Sequence, residues 1–275
     1  MKIIQWFPGH MSKTMREITE NAKLIDGVIY VLDARAPFSC INFKLNSVFD
    51  GKPIVYAVNK SDLIEKADEN RIFALFKAKN MTAKFIVGSD KKAVNSLLSL
   101  LKEKLSDKIE RNKIKGNRPL RIMVIGVPNT GKSTIINSLC GQKRANVGDK
   151  AGVTKRTQWL KISGLEIMDT PGTMPPSFEN QEIAKKLAYV GCINDDILDK
   201  EEICLELVKS LKEICPEKLT EKYKVNVENQ PLEIYEEICK NRGFLSRGGQ
   251  FDYERCASCV IDDFRKSRIG KICLE

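Results

Sequence analysis

The chain has 275 residues, is 42% hydrophobic and 30% charged, and carries a formal net charge of +10. That apolar fraction supports a packed core and excludes wholesale disorder. No apolar run approaches the ~20 residues of a membrane helix. The start, MKIIQWFPGHM, lacks the long apolar stretch and cleavage site of a signal peptide, so a cytoplasmic protein is expected; a monomer is expected as well.

Short β-rich runs alternate with helical segments up to about residue 175. The patterning predicts strands over 27–33, 53–59, 84–88, 121–126, 157–163 and 165–169. It predicts helices over 11–24, 70–79, 95–107 and 132–140, with 108–119 a polar, basic connector. Such alternation implies a mainly parallel sheet covered on both faces. After residue 175 the apolar spacing is helical: Ile183/Leu187/Val190, Ile203/Leu207/Leu211, Ile234/Ile238 and Val260/Ile261/Phe264. Breaks fall near Pro216, Pro231 and Arg247-Gly248-Gly249. The expected architecture is an α/β unit over 1–175 followed by a small all-helical domain over 176–275.

Charge divides along the same line. Residues 1–173 are net +14, residues 174–275 net −4, and the stretch 100–161 alone is net +11. A field of that sign attracts phosphate polymers, although basic enzymes without a nucleic-acid role are common. The nine cysteines are irregularly spaced and read as free thiols. Cys256-Ala-Ser-Cys259 is the only CxxC, and without a second pair of similar spacing no zinc is expected.

The strongest motif is Gly126-Val-Pro-Asn-Thr-Gly-Lys132-Ser133, a GxxxxGK[ST] phosphate loop between a predicted strand and helix. Backbone N–H groups around Asn129, Thr130, Gly131 and Thr134 can cradle phosphates, aided by the helix dipole. Lys132 would reach the β- and γ-phosphates, and the Ser133 hydroxyl would ligate Mg²⁺. Downstream, Asp169-Thr-Pro-Gly172 ends a predicted strand. Asp169 suits Mg²⁺ held through water, and the Gly172 N–H suits sensing of the γ-phosphate. Between them, Thr154 of Gly-Val-Thr suits closure over Mg²⁺ and γ-phosphate. Asn59-Lys60-Ser-Asp62 follows the strand at 53–59. Asp62 could accept both N1–H and the 2-amino group of guanine, with Asn59 and Lys60 supporting the ring and Ser89 on a further base-contacting loop. The set selects GTP over ATP.

These five segments are GTPase motifs in permuted order: base motifs first, then phosphate loop, Thr154 and DTPG (G4-G5-G1-G2-G3). The chain thus resembles the circularly permuted GTPases. With Ile4-Gln-Trp-Phe-Pro-Gly-His10-Met11 and Leu32-Asp-Ala-Arg35, it resembles the ribosome biogenesis GTPase A (YlqF) family over nearly its whole length. The resemblance implies a GTPase that assists assembly of the large ribosomal subunit, with rRNA and ribosomal proteins as partners and a helical RNA-binding C-terminal part. It also implies that His10, the only histidine, positions the attacking water. Many GTPases place Gln after the DxxG glycine; here Thr173 and then Met174 follow, so slow intrinsic hydrolysis, stimulated by the ribosome, is expected. Asn129 is similar to asparagines that help hold K⁺ beside the phosphates, where it would offset developing negative charge. Lys143, Arg144, Lys150, Lys155 and Arg156 are candidates for rRNA phosphates. Because 173–178 leads directly into the helical part, movement of Gly172 could reposition it. Two alternatives stay open: action on the small subunit or another RNA, and a GTP-dependent protein switch without RNA.

Overall fold

The structure is a computed structural model. It describes residues 4–5, 9–114, 116, 118–141, 157–162, 164–175 and 178–275, with His10 described by its backbone alone. Thr154, the side chain of His10 and the basic residues Lys143, Arg144, Lys150, Lys155 and Arg156 therefore lie outside the described residues.

Six strands form one sheet: β1 (Gly27–Asp33), β2 (Ile54–Asn59), β3 (Thr82–Ile86), β4 (Leu120–Ile125), β5 (Gln158–Ile162) and β6 (Leu165–Asp169). Their order is β3-β2-β1-β4-β6-β5. All neighbours run parallel except the hairpin β5–β6. β1 is buried at every position, the mark of a strand covered on both faces. Eleven helices are described, beginning with α1 (Gly9–Asn21), α2 (Phe43–Asn46), α3 (Lys66–Ala78), α4 (Lys91–Lys104), α5 (Ser106–Ile114) and α6 (Lys132–Cys140). The others are α7 (Gln181–Tyr189), α8 (Lys200–Ile214), α9 (Pro216–Tyr223), α10 (Pro231–Asn241) and α11 (Tyr253–Arg265).

Alternation along the strands splits the core. Ile29, Val31, Val124 and Ile167 pack under α4 and α6 with Val94, Leu97, Ile135 and Ile136. Val28, Tyr30, Leu32, Met123 and Ile125 face the other way, against Met11 and Ile18 of α1 and Ile72 and Phe76 of α3. That second core continues without a break into Leu187, Leu207, Ile238 and Phe264 of the C-terminal helices. The segment after α11 also returns to the sheet. Ile272 N–H donates to Leu63 O at 3.2 Å and Leu274 N–H to Arg35 O at 2.7 Å. The Glu275 carboxylate accepts from Phe38 N–H at 2.6 Å and Ser39 N–H at 2.9 Å.

Several expectations shift. The connector expected over 108–119 is largely helix, since α5 runs to Ile114; it is so polar that it shows no apolar period. Helices α3 and α4 begin four residues earlier than their apolar stripes suggest. Their first turns are polar, with Asp68 and Glu69 at the positive end of α3 and the Asp90 side chain capping α4. Strand β3 lies two residues upstream of 84–88. The breaks expected near Pro216 and Pro231 are present, each proline opening the first turn of a new helix, α9 and α10, where a missing N–H costs nothing. Cys256 and Cys259 both sit on α11, and all nine cysteines are free thiols.

Candidate functional site

Strand order reverses between β1 and β4, and in open α/β sheets ligands bind outside the carboxyl ends of the strands at such a point. Register brings the motif residues to that edge: Asp33 lies opposite Asn59, Asn59 opposite Ile86, and Val124 opposite Asp169. The phosphate loop leaves β4 and runs straight into α6.

The loop is held tightly. Lys132 is 6% exposed. Its ammonium donates to Gly126 O at 3.1 Å and Val127 O at 2.8 Å. Burial pushes its pKa down to about 8, against the opposing pull of Asp169. The fully buried Thr130 hydroxyl donates to Val127 O at 3.0 Å. Gly131 adopts φ +93° at the cap of α6, and a Cβ there would collide with the Asn59 amide. Ser133 and Thr134 are half-buried in the first turn of α6.

The base motif divides its labour. The Asn59 Nδ2 donates to Thr130 O at 2.7 Å, and its Oδ1 accepts from Gly88 N–H at 2.7 Å. One buried amide thus ties the phosphate loop to the loop bearing Ser89. Lys60, in left-handed backbone with φ 61°, donates to Asn129 O at 2.8 Å. Asp62 and Ser89 are exposed on their turns. Both polar ends of Asn59 are therefore spent on protein, while Asp62 stays open to a base.

Asp169 is fully buried, and its Oδ1 has no hydrogen-bond partner. Burial raises its pKa, which Lys132 opposes. An orphaned carboxylate oxygen beside the phosphate lysine fits a divalent cation. Gly172 lies against Pro128, and a Cβ there would sit 2.6 Å from the proline ring, so only glycine permits that approach. Next to it, Thr173 N–H donates to Gly126 O at 3.3 Å. Thr173 and Met174 are both buried.

Two residues had no assigned chemistry in the sequence beyond their place in Leu32-Asp-Ala-Arg35. The Asp33 carboxylate, fully buried, meets Lys60 at 2.9 Å and Arg35 at 2.8 Å. Burial alone would raise its pKa; the Arg35 and Lys60 cations override that and hold it well below the usual carboxylate range. An acid closing an otherwise apolar strand was the available signal. Asn129 also reaches the helical part, donating from Nδ2 to Gly191 O at 3.3 Å. Among the described residues, no three Cys, His, Asp or Glu converge as a metal-holding group, and no helix is long and apolar enough to cross a membrane.

Comparison with known proteins identifies the family and the fold. A family model described as 50S ribosome-binding GTPase matches residues 121–235, starting at the strand that feeds the phosphate loop. Ribosome biogenesis GTPase A of Bacillus cereus is 36% identical over 99% of this chain and 94% of its own. The Priestia megaterium protein of the same name is 37% identical over 97% and 94%. A solved structure, GDP-bound YlqF of T. maritima, matches with TM-score 0.70 and 25% identity over 94% of this chain and 98% of its own. With identity of that level over nearly the whole chain, this protein belongs to the ribosome biogenesis GTPase A family of GTP-hydrolysing enzymes.

Proposed function

We propose that this GTPase assists assembly of the large ribosomal subunit and binds rRNA in a GTP-dependent manner. Residues 1–175 would form the permuted GTPase domain and 176–275 the RNA-binding helical domain. The observation that carries the reading is the bond from Asn129 of the phosphate loop to Gly191 in the helical part. It gives nucleotide occupancy a direct route to the element that would meet RNA. The near-full-length identity with ribosome biogenesis GTPases supports it, as does the +14 charge of residues 1–173.

In this reading Asp62 and Ser89 recognise guanine, and Lys132 with the N–H groups of Asn129 to Thr134 holds the phosphates. Ser133, Thr154 and Asp169 hold Mg²⁺, which neutralises phosphate charge when bound. Gly172 senses the γ-phosphate. His10 positions the attacking water, and Asn129 contributes to a K⁺ site. Two substrate-level checks follow. Replacing His10 with Ala should reduce ribosome-stimulated turnover and spare GTP binding. Turnover should be faster in KCl than in NaCl.

The deciding experiment is co-sedimentation of the full chain with purified large or small subunits, with a non-hydrolysable GTP analogue or GDP. Binding to the large subunit with the analogue and release with GDP are expected. Preference for the small subunit, or no binding to either, would overturn the assignment and favour another RNA or a protein partner.

A further inference from the structure

We infer that Asp33 and Arg35 are positioning residues of the nucleotide site: they set Lys60 against the phosphate loop and tie that loop to the C-terminal ends of α7 and α11. A carboxylate has about four acceptor positions. Those of Asp33 meet four donors. Its Oδ1 accepts from Arg35 N–H at 3.1 Å and Nε at 2.9 Å, and its Oδ2 from Arg35 Nη2 at 2.8 Å and Lys60 Nζ at 2.9 Å. Lys60 in turn holds Asn129 O of the phosphate loop at 2.8 Å. The position of that peptide is therefore tied to Asp33 through one side chain.

Arg35 carries the connection onward. Its Nη1 donates to Arg265 O at 3.0 Å and its Nη2 to Val190 O at 3.4 Å, while its guanidinium lies over the Phe264 ring at 5.6 Å. Arg265 is the last residue of α11, and Val190 is the C-cap of α7. Helix C-termini present unpaired carbonyls and a partial negative charge, which a cation satisfies. Arg265 adds a second cap to α7, donating to Tyr189 O at 3.1 Å and Ala188 O at 2.8 Å. The same guanidinium pairs with Asp195 at 2.7 Å. The following residue, Gly191, accepts the Asn129 amide. Beside the apolar core they share, sheet and helices are thus also joined by charge, at a place where a further apolar contact would stabilise at least as well. Coupling between the two sides is what the charged arrangement supplies in addition.

The inference rests on the nucleotide-site part of the proposed function and not on its ribosomal part, so failure of ribosomal-subunit binding would leave it intact. Its test uses the full chain with Arg35→Lys and, separately, Arg265→Lys. The first keeps the charge but loses the planar fork. The second alters only the helical side, so it remains informative if the first fails to fold. Affinity for GDP and for a GTP analogue is measured by fluorescent-nucleotide titration, and hydrogen exchange is followed over 186–193 and 262–268. In the unaltered protein, nucleotide should change exchange in both helical segments. Because coupling is reciprocal, Arg265→Lys should lower nucleotide affinity roughly fivefold, and the double variant should lose less than the two single effects combined. A purely structural pair would lower the melting temperature and leave affinity within about twofold of the original. That result, or helical amides indifferent to nucleotide, would overturn the inference.

Discussion

The two halves of the proposed nucleotide site, around Lys132 and around Asp62, are built differently. On the phosphate side Lys132, Thr130 and Asp169 are buried, and Thr130 and Lys132 bond back to the Gly126 and Val127 carbonyls. On the base side Asp62 and Ser89 stand exposed on short turns. Charge interactions strengthen when water is excluded, so the dry side should dominate affinity and the wet side discrimination. The two are not independent, because Asn59 and Lys60 of the base motif spend their side chains on the phosphate loop.

The largest effect should come from removing the buried cation. Lys132→Ala should weaken GDP and GTP binding by about a hundredfold or more, read by titration with fluorescent nucleotides. An affinity within tenfold of the original would erase the contrast between the two sides.

Asn59→Ala comes next. It leaves Thr130 O and Gly88 N–H without their buried partner, and should cost about 2–3 kcal/mol of stability. Urea unfolding measures this, and nucleotide affinity should fall equally for GDP and GTP. Asp62→Asn should be milder in stability, within about 0.5 kcal/mol. It should lower GDP affinity about tenfold and relax the preference for guanine over a base that offers a carbonyl in place of the 2-amino group. Competition between the two nucleotides reads this out. If Asp62→Asn unfolds the chain while Asn59→Ala leaves it intact, the division of labour within the motif is wrong.

The last prediction concerns pH. Burial depresses Lys132 from 10.5 to about 8. Between these values the unfolded chain binds a proton that the folded chain does not, so this group adds stability as pH rises from about 8 towards 10.5. The difference in unfolding free energy between the unaltered protein and Lys132→Met should move in favour of the former over that window. A constant difference would show that the lysine is not desolvated.

Much of this organisation is legible in the chain. The strand 27–33 and the helix 132–140 fall where their patterns put them, because each is a strong apolar run closed by a polar residue or opened by glycine. The phosphate loop is equally plain, since its chemistry needs glycine, lysine and serine within eight consecutive residues. Helix starts at 66 and 91 and the helix Ser106–Ile114 were hidden, because polar turns carry no period. Ile183 falls on an apolar stripe by spacing, yet it is 36% exposed. Facing the core depends on which neighbours arrive, and local spacing does not specify them.

The sequence by itself determined the motifs, their permuted order and the change from alternating to all-helical patterning, because each rests on residues near one another in the chain. Only the tertiary structure decided that one face of the sheet shares its core with the C-terminal helices. It alone placed Asn59 against a loop 71 residues away, and Arg35 against carbonyls 155 and 230 residues away. The physical reason is that such bonds depend on where strands end and helices stop in space. A buried carboxylate such as Asp33 takes its meaning from the cations that fold around it.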